Sequence, residues 1–171
     1  AVRNHRWNRL SPDMPCIRGT AQNPDVYFQA REACSSYFAA VPDITQKAMD
    51  KFAKQIGRQY HIFKYYGCDD AERVIVIMGS GSAVAREAAE KLIAAGEKIG
   101  VLVVRLFRPF DISRFLRALP ATIRSIAVLD RCKEPTSISE PLCADVKEAL
   151  SGTDITIVGG RYGLSSKDFT P

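Results

Sequence analysis

The chain is poor in the residues that build compact catalytic or metal centres. It holds two histidines, His5 and His61, and one tryptophan, Trp7. Neither histidine stands beside a serine or cysteine in a nucleophile motif, and His61 falls inside a stretch that reads as a strand. Five cysteines, Cys16, Cys34, Cys68, Cys132 and Cys143, are odd in number and form no C-x-x-C pair. That pattern argues against a disulfide framework and against zinc or iron–sulfur ligation. It points to a reducing compartment, the cytoplasm being the simplest. No apolar run approaches the roughly 20 residues of a membrane span, so no membrane partner is expected. The stretch Ala1 to Leu10 is polar and basic and lacks the apolar centre of a secretory signal. Repeats and low-complexity segments are also missing.

What remains is ordinary globular composition. The 171 residues are 46% hydrophobic and 25% charged, enough for one sizeable core. The net charge of +5 is spread along the chain. Arg3, Arg6, Arg9 and Arg18 bias the N-terminus, but a nucleic-acid binder gathers its basic residues on one face or run. Solvated surface and an interface edge are the expectation, and no nucleic acid. The start without Met and the stop at Pro171 read as cuts inside a longer chain.

The chain is organised around Val74-Ile75-Val76-Ile77-Met78-Gly79-Ser80-Gly81-Ser82-Ala83. Five apolar residues, mostly β-branched, are too short for a buried helix and suit a strand. Their continuity suits a parallel strand covered on both faces. Gly79 and Gly81 allow a tight turn, and Ser82 is placed to cap the next helix. That helix spans 83–95, with Val84, Ala85, Ala88, Ala89, Leu92 and Ile93 on one face, and Gly96 stops it.

Upstream, residues 1–24 carry Pro12, Pro15, Gly19 and Pro24 and read as an irregular arm. Asn23 and Pro24 read as cap and first turn of a helix. Pro42 interrupts it, and a second helix begins near Asp43 and ends at Gly57. Tyr60 to Tyr66 reads as an aromatic strand. Downstream of the central unit, a strand is expected at 101–107 within the apolar run from Ile99. A helix at 112–119 and strand 125–130 follow. A helix covers 141–150, and a last strand runs from Asp154 to Val158 before a glycine-rich tail. Alternating strands and helices imply an α/β fold in three layers, α/β/α, with a mostly parallel sheet.

Candidate chemistry is sparse. Gly79, Ser80, Gly81 and Ser82 form a weak anion loop, since amides at a helix N-terminus attract anions. The dinucleotide fingerprint wants a third glycine where Val84 stands, and no Lys-Ser/Thr follows to make a P-loop. A tight strand-to-helix turn is the plainer explanation of the glycines. Asp130-Arg131-Cys132-Lys133-Glu134-Pro135 sets charges just after a strand's carboxyl end, where open α/β sheets bind ligands. Arg105, Arg108 and Pro109 are similarly placed. Ion pairing within the loop, or with another domain, is the plainer explanation for both.

Longer strings carry a resemblance. Arg18-Gly19-Thr20-Ala21-Gln22-Asn23-Pro24-Asp25, Asp70-Ala71-Glu72-Arg73-Val74-Ile75-Val76 and Val104-Arg105-Leu106-Phe107-Arg108-Pro109-Phe110 are three of them. Val128-Leu129-Asp130-Arg131-Cys132-Lys133-Glu134-Pro135 and Gly160-Arg161-Tyr162-Gly163-Leu164-Ser165-Ser166-Lys167-Asp168-Phe169 are two more. In order and spacing they resemble the pyruvate:ferredoxin (flavodoxin) oxidoreductases, including relatives fused to an NADP-reducing flavoprotein. Where that family often has Lys-Glu-Pro-Gly, this chain has Lys133-Glu134-Pro135-Thr136.

The resemblance implies the second domain of a much longer enzyme, a domain similar to the C-terminal domain of transketolases. It implies a five-stranded mixed sheet with 60–66 antiparallel at an edge. Residues 1–24 would link from a thiamine-binding domain, 25–59 would lead in, 60–160 would form the domain, and 161–171 would link onward. Thiamine diphosphate, magnesium, 4Fe-4S clusters and coenzyme A would belong to the parent enzyme, with no cofactor, metal or catalytic residue here. The parent would be a homodimer in the cytoplasm, or in an organelle of an anaerobic eukaryote, with ferredoxin, flavodoxin or NADP as acceptor. Arg18, Asn23, Arg108, Arg131 and Arg161 are the expected contacts to neighbouring domains. The alternative is a free-standing module that binds a phosphorylated ligand or nucleotide at Gly79 to Ser82.

Overall fold

A computed structural model describes the whole chain except residues 17, 18 and 20. The chain divides into a unit of residues 1–37 and a unit of residues 38–171. In the first, α1 (Val2–Trp7) buries none of its residues. It stands where irregular chain was expected, and its single turn and a half carries no apolar stripe. Helix α2 (Pro24–Ala33) begins with Asn23 at the cap position and Pro24 in the first turn. Asn23 serves through its backbone, its carbonyl accepting the Tyr27 amide at 2.9 Å, and its side chain makes no cap bond.

Helix α3 (Ser35–Ile56) contains Pro42 in its interior, where a break was expected. Proline removes one hydrogen bond from a helix. Here Pro42 is the buried residue of the helix, and its burial, with the stripe that continues through Met49 onto the core, offsets the loss.

The second unit is built on five strands: β1 (Phe63–Gly67), β2 (Arg73–Met78), β3 (Ile99–Val104), β4 (Ser125–Asp130) and β5 (Thr156–Arg161). Their order is β1-β3-β2-β4-β5. β2 runs parallel to β3 and β4, β5 runs parallel to β4, and β1 is antiparallel to β3 at the edge. The fold is the expected mixed, mostly parallel α/β sheet. Helices α4 (Gly81–Ala94), α5 (Ile112–Arg117) and α6 (Pro141–Ala149) complete it.

Boundaries shift for identifiable reasons. β1 starts at Phe63 because the backbone of 60–62 is taken by Gln46: its Nε2 donates to the Tyr60 carbonyl and its Oε1 accepts the Ile62 amide. β3 stops at Val104 because the amides of Arg105 and Leu106 both turn onto the Ile62 carbonyl. β5 continues through Gly159 and Gly160, where a tail was expected. A side chain at either position would strike Cys143 Sγ or Leu129 Cδ2, so the glycines let the strand pass close to its neighbours.

The two faces of the sheet carry separate cores. Val74, Val76, Leu102, Val104, Ile126 and Val128 pack beneath Phe115 of α5 and Leu142 and Val146 of α6, with Met49 of α3. On the other face Ile77, Val101 and Val103 pack beneath Ala85 and Ala89 of α4. Among the described residues no helix is long and apolar enough to cross a membrane.

Candidate functional site

β3 lies on one side of β2 and β4 on the other, so the chain reverses its direction of travel across the sheet at β2. A crevice forms at such a point, outside the carboxyl ends of the strands. Three stretches meet there: the turn after β2, the loop after β4 and the segment after β5.

The turn after β2 requires its glycines. Gly79 has φ +76°, a left-handed conformation that a side chain resists. A Cβ on Gly81 would lie 2.6 Å from the Tyr162 ring. Ser80, not Ser82, holds the cap position of α4, and it makes no side-chain cap bond. Ser82 lies in the helix's first turn.

Arg131 ties the three stretches together. Its Nη1 donates to Ser80 Oγ and its Nε to the Gly163 carbonyl, both at 3.2 Å. Tyr162 donates from its hydroxyl to the Met78 carbonyl at 3.1 Å and stacks on Phe169 at 4.5 Å between ring centroids. Burial raises the Tyr162 hydroxyl's pKa. The hollow they surround has a volume of about 280 Å³, with Lys167 and Asp168 at its wall.

Behind it lies a buried carboxylate pair. Asp130 is fully buried at the end of β4. Its Oδ1 accepts the Leu142 amide at 3.0 Å and its Oδ2 the Cys143 amide at 3.1 Å, which satisfies the open amides of α6. Burial raises its pKa, and the two amides oppose that rise. Glu140 accepts Arg161 Nη1 at 2.5 Å and the Glu134 amide at 2.8 Å. The Arg161 hydrogen bond holds its carboxyl below the ordinary range. Burial pushes up the thiols of Cys132 and Cys143, the negative charges around Cys132 adding to its rise. Raised thiols are poor nucleophiles at neutral pH.

The expected contact residues fall as follows. Arg131 and Arg161 come together at the carboxyl edge. Arg108 pairs with Asp145 at 2.7 Å. Asn23 belongs to the first unit, and Arg18 lies outside the described residues. Tyr162, Glu140 and Asp145 did not stand out in the sequence as site residues. Glu140 before Pro141 carried the signal of a helix start, and nothing local marked the other two. Among the described residues no three His, Cys, Asp or Glu side chains group to hold a metal.

The family model for pyruvate:ferredoxin oxidoreductase core domain II matches residues 71–171. The chain belongs to that family. Pyruvate-flavodoxin oxidoreductase of Trichormus variabilis is 58% identical over 98% of the chain, which covers 14% of that relative. Pyruvate:ferredoxin oxidoreductase of Moorella thermoacetica is 53% identical over the whole chain, which covers 15% of it. Pyruvate dehydrogenase (NADP+) of Cryptosporidium parvum is 48% identical over 99% of the chain, which covers 9% of it. Among solved structures, a 2-oxoglutarate:ferredoxin oxidoreductase from Magnetococcus marinus, with 2-oxoglutarate, coenzyme A and succinyl-CoA bound, superposes with a TM-score of 0.57. That match spans 88% of this chain and 22% of the other at 19% identity, and it speaks to the fold. The chain thus spans about a seventh or less of the curated relatives it matches.

Proposed function

We propose that this core-domain-II chain is a non-catalytic, domain-positioning part of an enzyme that oxidatively decarboxylates pyruvate to acetyl-CoA. Electrons would pass to ferredoxin, flavodoxin or NADP. The observation that carries this reading is identity of about half or more to pyruvate oxidoreductases along nearly the whole chain. The side chains at the carboxyl edge are consistent with it. Asp130 caps α6, Glu140 holds Arg161, and Asp145 holds Arg108. These groups are occupied in holding the fold and are not paired as acid and base. Thiamine diphosphate, magnesium, 4Fe-4S clusters and coenzyme A are assigned to other parts of a cytoplasmic, homodimeric parent. Residues 1–24 supply a contact to a neighbouring domain: Trp7 is 73% exposed, and it shares a hollow of about 540 Å³ with Arg3, Arg6 and Arg9. Arginine and tryptophan are enriched where surfaces meet.

Arg131 beside Ser80, with Lys167 on the same hollow, favours a second reading in which a phosphorylated ligand binds at Gly79 to Ser82. Calorimetric titration of the 171-residue chain with thiamine diphosphate, coenzyme A, FMN and NADP separates the two. No heat of binding is expected. Saturable binding that an Arg131→Ala substitution abolishes would replace the positioning role with the binding module.

A further inference from the structure

The two faces of the sheet are unequally covered. Helices α3, α5 and α6 all contribute to the core on the face of Val76 and Val128. On the opposite face α4 packs over β3, β2 and β1, and Tyr162 and Phe169 of the segment after β5 join the same core beside Leu129. β4 has a hydrogen-bonded neighbour on each side, a position where a parallel strand is normally buried on both faces. Its residues nevertheless alternate. Ile126, Val128 and Asp130 are buried, while Ser125, Ala127 and Leu129 are only half-buried. On β5 beside it, Val158 is 56% exposed.

Register makes these positions one surface. Ile75 pairs with Ala127, and Ala127 pairs with Val158, so the three side by side cross β2, β4 and β5 as an apolar row. Ile99 joins them along a hollow of about 200 Å³. Ser125 and Thr156 lie one step away on the same face.

We propose that this bare strip is a docking surface for an amphipathic helix, supplied by the larger polypeptide and lying alongside α4. The proposal rests on the reading that the chain works as part of a longer protein. Three features select a helix from that protein. Two strands at roughly 4.8 Å spacing present a strip about 10 Å wide, the width of one helix. The part clear of Tyr162 and Phe169, residues 125–127 and 156–158, offers roughly 10 Å of length, which matches about two turns of helix. And 85% or more of the length of the relatives lies outside the matched segment, which leaves ample chain to supply it. A neighbouring sheet would fit poorly, because α4 already stands a full layer high beside the strip.

The test is thiol reactivity at Val158. A Val158→Cys substitution is placed in the 171-residue chain and in a full-length polypeptide containing it. Alkylation of that position is followed by peptide mapping, so the native cysteines do not interfere, and circular dichroism confirms that each variant folds. Reaction at least about ten-fold slower in the full-length protein than in the 171-residue chain is expected, the protection of a site that must open to react. A benzophenone carried on the same thiol should then cross-link to positions spaced three and four apart in one segment outside residues 1–171. Equal rates in the two proteins overturn the proposal and leave the calorimetric test of the positioning role untouched. Slow reaction in the 171-residue chain also overturns it, in either of two ways. If the rate rises on dilution, a second copy covers the strip. If it does not, the chain's own residues do. Cross-links to scattered loop positions would remove the helix.

Discussion

Asp130 holds Leu142 from a distance of twelve residues: the carboxylate at the end of β4 accepts the first amide of α6, that of its second residue, at 3.0 Å. The residue at the formal cap position, Glu140, makes no side-chain cap bond and turns to Arg161 and the Glu134 amide. The helix is therefore capped by the strand it packs on, which locks the loop 131–140 between two fixed ends.

Replacing Asp130 with Ala should cost about 2 to 4 kcal/mol, since two buried amides lose their acceptor. Asp130→Asn keeps the shape and one of the two acceptors but sets its NH2 against the other amide, so it should cost less than Ala while removing the titrating charge. The sign of the pH dependence follows from the raised pKa. The folded state holds this proton more tightly than the unfolded state, so the contribution is full below the unfolded pKa and is lost as pH rises through the folded one. Urea midpoints of parent and Asn variant should therefore converge or cross in favour of the variant on going from acid to neutral pH. A gap that widens in the parent's favour over that range would reject the assignment.

Arg161→Gln acts in the opposite sense. Glu140 is held below its ordinary pKa, mainly by Arg161. Its contribution is present above the unfolded pKa and is lost as pH falls through the lowered folded value. The substitution should lower the melting temperature at pH 7, and the two proteins should draw together in acid. Parallel melting curves at all pH values would show that the ion pair contributes nothing.

Ile77 is fully buried in β2 against α4. Ile77→Asp should unfold the chain, because an unpaired buried carboxylate costs several kcal/mol, about the whole stability of a domain this size. A cooperative melt at the parent's temperature would mean the central strand is not core.

Gly100 in β3 lies flat against the Tyr65 ring, and an added methyl would overlap the ring and its hydroxyl. Gly100→Ala should cost about 1 to 3 kcal/mol. The same change in a Tyr65→Ala background should cost markedly less, a non-additivity that a double-mutant cycle measures. Additive costs would place the penalty in the strand backbone instead.

The sheet was legible because parallel strands advertise themselves. SIAVLD coincides with β4, and VIVIM falls inside β2. The aromatic YHIFKYY was legible as the odd strand, though its first residues turned out to bond Gln46, a partner fourteen or more residues away that no local pattern reveals. Pro42 and the pair Gly159-Gly160 misled in the same direction, each marking an end where the element continues. Both are element breakers by propensity, and tertiary packing overrode each. The carboxyl-edge cluster was half legible. Arg131 stood out as a charge after a strand and Arg161 through the family resemblance, but Tyr162 meets Gly81 across 81 residues of sequence, a contact that only the topology creates.

The edge position of β1 bears on how the chain is made. β1 emerges first from the ribosome, yet its partner β3 follows only after β2 and α4 have been synthesised. By then β2 and β3 can already pair through the crossover helix, so the nascent sheet grows outward from β2 in both directions. β1 joins as a late arrival on one flank and β5 on the other. An arrest peptide that halts synthesis just past β3 should therefore yield a protease-resistant core before β4 exists, and shortening the α4 crossover should delay that core more than any change in β1.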